Sequence, residues 1–555
     1  MIAGEAIVKI LEIEGITDAF GIPGAGINGL YKYLGESSKI KHYTARHEEA
    51  AVHAAGGYYR SSGRMAAALC TSGPGATNFV TGIYTANIDS IPLIAITGQA
   101  VTAQLGKDAF QCVDIAAIVA PVAKATWCVV DKNKLVETFQ NAFRIAREGK
   151  PGPVLIDLPL DIQNAEIEFD PDKYEPLSVK KPEPEPKDIE KAVQMLNEAK
   201  EPVIIMGGGV IESGACEECI RFAEMMQIPV ITTYMAKGGI PAGHPLNAGH
   251  AGIQVGQPIG NQVLLNADVV LAIGNRFTDR HTGNVNVYRG NRKFIHINIE
   301  TTEINKIFPA DLGITADAKA ALEQLILAAQ KVKNPAYRTM AAQLPKLREK
   351  LRRKTDHDCV PIHPHRVFGD MNKVFDEDTI FTTGCGITQI WSGQLQEINR
   401  PRHYLPSGGS GTLGYDIPAA FGAMVANPGK CAVAVMGDFG FTFHLQELAV
   451  CAKYNRPVIV VIINNAYLGL IRQNQKYAYG YEYAVEMKEN HSFIDYVEAA
   501  RGLGCDGERV FLPDDIIPAI ERAKKSQKPY VIDVIVQERA DCSMGNAIDS
   551  VREFE

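Results

Sequence analysis

The sequence predicts an α/β protein built from three doubly wound parallel-sheet domains. Short runs of Val, Ile and Ala recur, ended by glycine turns and separated by amphipathic helical stretches, as in repeated βα units. Two stretches break the alternation and read as linkers: 166–187 is rich in Pro, Glu and Lys, and 336–365 is basic and helical, then proline-broken. At 555 residues the chain is too long for one core, so about three domains are expected.

The first domain is placed at residues 1–165. An amphipathic helix over Ala3–Glu14 leads to a strand ending at Phe20, then to the turn Gly21-Ile-Pro-Gly24-Ala-Gly26. That glycine spacing is not the dinucleotide fingerprint, so nicotinamide binding is disfavoured. Next, Ile40–Ala51 reads as a strand running through Arg46-His47-Glu48 into a small-residue helix. Strands over Ala66–Thr71 and Ile91–Thr97 follow, the first closed by the tight turn Ser72-Gly73-Pro74-Gly75. Lys150-Pro-Gly-Pro leads into the last strand.

The second domain is placed at 188–335, with strands over Val203–Met206, Val230–Thr232, Val269–Ile273 and Phe294–Ile299. Gly207–Gly209 and Gly274–Phe277 follow strands, where a nucleotide could dock. The third domain, 366–540, holds the most informative stretch. There a buried strand (Ala432–Met436) meets the turn Gly437-Asp438-Phe439-Gly440, a helix follows, and a second strand (Val458–Ile463) runs into Asn464-Asn465. The turn Tyr467-Leu468-Gly469 opens the next helix. Asp438 and Asn465, 27 positions apart, therefore fall at the carboxyl ends of successive strands, the edge where open parallel sheets bind ligands. A carboxylate and an amide oxygen are hard ligands suited to Mg²⁺ or Ca²⁺, and glycine amides can face phosphate oxygens. A metal-bridged diphosphate site is expected.

Composition narrows the function class. With 46% hydrophobic and 22% charged residues, the chain is an ordinary globular protein. A net charge of −8 with no basic block argues against nucleic-acid or anionic-membrane partners. The N-terminal segment carries acids among its apolar residues, and no run is long enough to span a bilayer, so a cytoplasmic protein is expected. The eleven scattered cysteines read as reduced, mostly buried thiols. Cys216 and Cys219 are read as a chance pair on a helix surface, and the segment His357–His365 as linker rather than metal site.

The Gly-Asp-Phe-Gly turn and the Asn-Asn pair resemble the diphosphate motif of thiamine-diphosphate (ThDP) enzymes. The resemblance implies Mg²⁺ ligation by Asp438, Asn465 and the main-chain carbonyl of Tyr467, with Gly437, Phe439, Gly440, Leu468 and Gly469 beside the diphosphate. The segment Arg46-His47-Glu48 with His53–Arg60 is similar to the acetolactate-synthase group, in which the Glu activates the aminopyrimidine; Glu48 is implied in that role. Gly386-Ile387-Thr388 match a diphosphate-contacting turn, and in Gly411-Thr412-Leu413-Gly414 the implied support of the bent cofactor is Leu413. Phe110 and Gln111 match residues lining the substrate pocket. Lys150 stands where the group has a flavin-contacting Arg; a non-redox FAD is implied, with contacts from 249–252, Gly274, Arg276 and Glu300.

Within the group the chain looks most like the glyoxylate carboligases, through Ala165–Pro176, Gly274–Gly283 and Asn464–Gln473. Asn474 stands where acetolactate synthases have a pocket Trp, whereas Glu48 departs from the Val typical of glyoxylate carboligases. The implied reaction decarboxylates a small 2-oxoacid and ligates the remainder to a second carbonyl: two glyoxylates give tartronate semialdehyde and CO₂. Acetolactate formation from two pyruvates is the alternative, and a pyruvate-oxidase-like flavoenzyme a more distant one. The resemblance also implies a homodimer or homotetramer, with ThDP spanning the first domain of one subunit and the third of its partner.

Overall fold

Eighteen strands, the central ones mostly Val, Ile, Leu and Ala, gather into three six-stranded sheets whose ladders are all parallel among the described residues. The computed structural model describes residues 1–332 and 338–554. The domain boundary expected at 335 therefore lies outside the described residues.

The first sheet comprises β1 (Asp18–Gly21), β2 (Lys41–Thr44), β3 (Ala67–Cys70), β4 (Ile94–Gln99), β5 (Ala125–Cys128) and β6 (Val154–Pro159), ordered β2-β1-β3-β4-β6-β5. The second comprises β7 (Pro202–Met206), β8 (Val230–Thr232), β9 (Asn247–His250), β10 (Val269–Ile273), β11 (Lys293–Asn298) and β12 (Leu312–Thr315), ordered β12-β11-β10-β7-β8-β9. The third comprises β13 (Ile380–Thr383), β14 (Tyr404–Pro406), β15 (Ala432–Gly437), β16 (Ile459–Asn464), β17 (Asp506–Val510) and β18 (Tyr530–Ile535), ordered β14-β13-β15-β16-β18-β17. Numbered from its own first strand, the third sheet repeats the order of the first. The middle sheet has the 3-2-1-4-5-6 order of dinucleotide-binding folds. Strand order reverses between β1 and β3, β7 and β10, and β13 and β15, the outer sheets turning once more at their β6-β5 and β18-β17 edges, and the loops leaving the first-named strands border a crevice.

The outer sheets share one core. A single apolar cluster joins Phe20, Tyr58 and Phe79 of the first to Phe421, Phe441 and Val531 of the third. Its centre is the crossing of helices Glu48–Ser62 and Asp416–Ala426, where backbones touch. A Cβ at Gly57 would stand 2.1 Å from the Ala419 carbonyl oxygen, and one at Gly422 1.9 Å from that of Ala54. The middle sheet builds its own clusters, and the helix Thr339–Lys350, expected as linker, docks there through buried Leu344.

Several expectations are corrected. Strands β9 and β12 were not anticipated: Asn247-Ala-Gly-His250 lacks β-branched residues, and both strands are only four residues long. Cys216 and Cys219 are buried on the inner side of helix Cys216–Met226, not on its surface. All eleven cysteines are free, but five, including Cys112 and Cys359, are only half-buried. The tail after 540 returns to the middle domain, where Gly545 donates its N–H to the Ile253 carbonyl (2.9 Å) and Ile548 enters the core.

The helix crossing is directly testable. Gly422→Val should force two backbones apart and lower stability by at least the ~1–3 kcal/mol typical of overpacking. Gly502→Ala, at a helix end with nothing within 4 Å of the new methyl, should be neutral or slightly stabilising. Urea midpoints of the two variants check the contrast.

Candidate cofactor site

The crevice of the third sheet gathers the turns that follow β13, β15 and β16. Asp438 begins a short helix directly after β15 and is 2% exposed. Its Oδ2 has no hydrogen-bond partner among the described residues. Burial pushes this carboxyl up to about 7, against the pull of nearby backbone N–H groups. A buried carboxylate with an idle oxygen calls for a cation. One strand over, Asn464 and Asn465 divide two tasks. Asn464 donates Nδ2 to Asp533 Oδ1 (2.9 Å) and accepts the Ala466 N–H (3.1 Å), holding Ala466 at φ 54°. That left-handed conformation, costly for a residue with a Cβ, turns the chain sharply at the sheet edge. Asn465, also buried, donates Nδ2 to the Glu538 carbonyl (3.4 Å), so its Oδ1 remains a free acceptor among the described residues.

Around these two lie the other expected contacts. A Cβ on Gly469 would stand 2.7 Å from Asn465 Nδ2 and 2.8 Å from the Ile387 side chain, so the turns after β13 and β16 meet there. Gly386, at φ 113°, has nothing within 4 Å of its Cβ position, which leaves its backbone open to a ligand. A Cβ on Gly437 would meet only Thr388 Oγ1, at 3.5 Å. Leu413 lies over Gly440, at 3.7 Å from its Cβ position, and Gly411 bends the same loop at φ 63°. Leu468 is fixed by its N–H to the Val485 carbonyl (2.8 Å), and Tyr467 bridges to Glu486. Phe439 packs edge-on against Phe443. The residues present fit a diphosphate bridged by a divalent cation.

The first sheet builds a second turn cluster at its own reversal point. Glu48 is the first residue of its helix, capped by His47 Nδ1 accepting the Glu49 N–H (3.2 Å). Its Oε2 accepts from Asn78 Nδ2 (2.9 Å), and Oε1 lies 3.2 Å from the Cβ position of Gly75. Gln111, at φ 56°, folds over the same turn, its Cβ 2.7 Å from the Cβ position of Gly73. Phe110 points outward and is 89% exposed. Glu48 and Asp438 share no hydrogen bond.

The middle domain opens a cleft of about 850 Å³, lined among others by Lys150, Gly208, Gly274, Arg276, Gln389 and Leu470. It runs from the reversal point of the second sheet to the turns of the third. Lys150 donates to the Asn87 carbonyl (3.3 Å), and its ammonium is depressed by burial and by the Arg276 guanidinium. Two cations on one wall favour an anionic ligand. Glu300 is not on that wall: its carboxylate receives the Thr302 hydroxyl (3.2 Å), and Glu303 lines the cleft instead. The segment 249–252 also stands outside the lining.

Sequence reasoning missed Asn78, which holds Glu48, and Glu447, which holds the segment before it. Buried Glu447, from the third domain, accepts the Arg46 N–H (2.9 Å). Burial pushes it up to about 7 while the Arg46 and His47 amides pull it down. Asp416 is raised to about 7 by the same cause and accepts the Gly384 N–H. Proximity of Asn78 to the Gly73–Gly75 turn was a usable signal; nothing local marked Glu447.

Family models match along the chain: the N-terminal TPP binding domain of thiamine pyrophosphate enzymes over 1–118, their central domain over 189–325 and their C-terminal TPP binding domain over 384–534. The chain is 46% identical to the glyoxylate carboligase of Escherichia coli, covering 100% of this chain and 96% of that protein. It is 40% identical to a probable acetolactate synthase large subunit of Methanocaldococcus jannaschii (97% and 92% covered). It is 39% identical to the acetolactate synthase large subunit of Corynebacterium glutamicum (97% and 87% covered).

Glu447 makes a pH prediction. The folded state holds its proton more tightly than the unfolded chain, so this group's contribution to stability is full below about 4.5 and declines as pH rises to about 7. Glu447→Gln keeps an acceptor for the amide and removes the ionisation. Urea unfolding should show the variant gaining about 1–3 kcal/mol relative to the parent between about pH 4.5 and about pH 8.

Proposed function

The chain belongs to the thiamine pyrophosphate enzyme family, and we propose that it is a carboligase joining two small 2-oxoacids with loss of CO₂, with glyoxylate as the preferred substrate. The observation that carries this reading is the buried pair Asp438 and Asn465, at the carboxyl ends of the adjacent strands β15 and β16. ThDP, when bound, supplies the nucleophilic carbon and electron sink that decarboxylation of a 2-oxoacid requires.

The chain supplies binding, orientation and charge. Asp438, Asn465 Oδ1 and the Tyr467 carbonyl would hold Mg²⁺, and the Gly386–Thr388 and Gly437–Gly440 amides would receive the diphosphate. Leu413, over Gly440, would pack against the bound cofactor. Glu48, oriented by Asn78, would keep a proton on the aminopyrimidine N1′, which requires a carboxylate opposite that atom. Phe110 and Gln111 would border the substrate.

Two features support a pair of subunits sharing each site: Glu48 and Asp438 belong to the turn clusters of separate sheets, and Phe110 is almost fully exposed. The cationic cleft between Lys150 and Arg276 supports a flavin nucleotide beside the site, in a non-redox role because carboligation transfers no net electrons. The preference for glyoxylate rests on the pocket helix Gly469–Asn474. Arg472 and Gln473 are buried and committed, Arg472 to Asp541 and Glu482 and Gln473 to the Cys542 carbonyl. Leu470, Ile471 and Asn474 are left to face a ligand; neither apolar side chain offers a hydrogen bond, so selection rests on volume.

Three measurements test this. Asp438→Ala should lose Mg²⁺-dependent ThDP retention in calorimetry; equal affinity in variant and parent would refute the metal site. Glu48→Gln should slow exchange of the ThDP C2 proton and lower kcat by on the order of 10²–10⁴. Finally, with ThDP, Mg²⁺ and FAD supplied, kcat/KM for glyoxylate should exceed that for pyruvate by roughly 10–200-fold, the worth of one methyl group in an apolar pocket. A higher value for pyruvate would move the enzyme to acetolactate synthesis.

A further inference from the structure

A second group of ligand-type side chains stands apart from the cofactor crevice. The segment between helices Thr339–Lys350 and Pro364–Val374, expected to be plain linker, folds back so that His357, His363 and His365 meet. The rings of His357 and His363 stack at 4.0 Å, and those of His363 and His365 meet edge-on at 4.6 Å. One ring nitrogen from each lies within 4.8 Å of the other two.

We propose that these three histidines form a binding site for a divalent transition-metal ion, zinc foremost, which pins the interdomain segment to the third domain. The donor set fits, because three imidazoles with a fourth position open to water suit Zn²⁺. The internal bonding fits too. His365 Nδ1 donates to the Lys354 carbonyl (3.1 Å), which leaves its Nε2 lone pair for a metal, as in ligating histidines generally. His357 Nε2 is buried and has no partner among the described residues, a costly state that a ligand would relieve. His363 accepts the His365 N–H through Nδ1 and would give up that cap on binding.

Charge does not oppose the site. Two nearby guanidinium groups are already paired, Arg366 with Asp370 (2.7 Å) and Asp514 (3.3 Å), and Arg353 with Glu553 (2.8 Å). Tetrahedral Zn–N bonds require nitrogen separations of about 3.3 Å, so the triad must tighten. His357, whose ring makes no hydrogen bond among the described residues, is the member free to swing.

The test uses the full-length protein, stripped by chelator and then saturated with Mg²⁺ and ThDP so that the diphosphate site is filled. Zn²⁺ titration by calorimetry, and Co²⁺ titration read by visible absorption, should each show one equivalent bound. His363→Asn removes the imidazole and keeps a strong helix cap; His357→Ala lies outside any helix. Each should bind Zn²⁺ at least tenfold more weakly, with circular dichroism and carboligase activity unchanged. No uptake by the parent, or equal uptake by parent and both variants, overturns the site.

Discussion

The molecule depends on one steric constraint, the crossing of helices Glu48–Ser62 and Asp416–Ala426 with no side chain between their backbones at Gly57 and Gly422. Glycine at both points lets the helix bearing Glu48 at its first turn lie directly against the third domain. That contact joins the outer sheets in one core, brings Glu447 to the Arg46 amide, and fixes the angle between the two crevices. The middle domain contributes no residue to that core.

Within that frame three buried acids stand at the loops of the site. Asp438, Asp416 and Glu447 are each pushed up to about 7 chiefly by burial. Two of them spend their oxygens on backbone N–H groups, Asp416 on Gly384 and Glu447 on Arg46, and so act as fasteners for loops. Asp438 alone keeps an idle oxygen. A carboxylate that could have been satisfied by one more amide, and is not, is the strongest local sign of a cation.

Much of this was legible in the sequence, because its signals are local. Runs such as Ala432–Met436 and Val458–Ile463 announce buried parallel strands, and the polar residues at their ends mark the crevice edge. The structure gathers Gly386–Thr388, Leu413, Gly437–Gly440 and Asn465–Gly469 around one crevice. What escaped depends on folding at a distance. Glu447 acts some 400 positions from Arg46. One partner of Arg472, Asp541, lies 69 positions on, near the tail. Glu300 and Glu303 differ by one turn, and only the fold selects which faces the cleft. His357 and His363 look like linker residues until the chain doubles back.

The shared core also has a kinetic side. The first sheet leaves the ribosome with the Ala51–Tyr58 face of its helix unmatched, and its partner helix begins only at Asp416, with Phe441 and Val531 later still. At about 5–20 residues per second the interval is on the order of tens of seconds. During that time a flat stripe of Ala and Gly backbone and several aromatic rings stand open, while the middle domain, whose clusters draw chiefly on its own residues, can complete itself. Synthesis therefore finishes the middle of the protein before its ends, and the nascent first domain is the segment most in need of a chaperone's shelter.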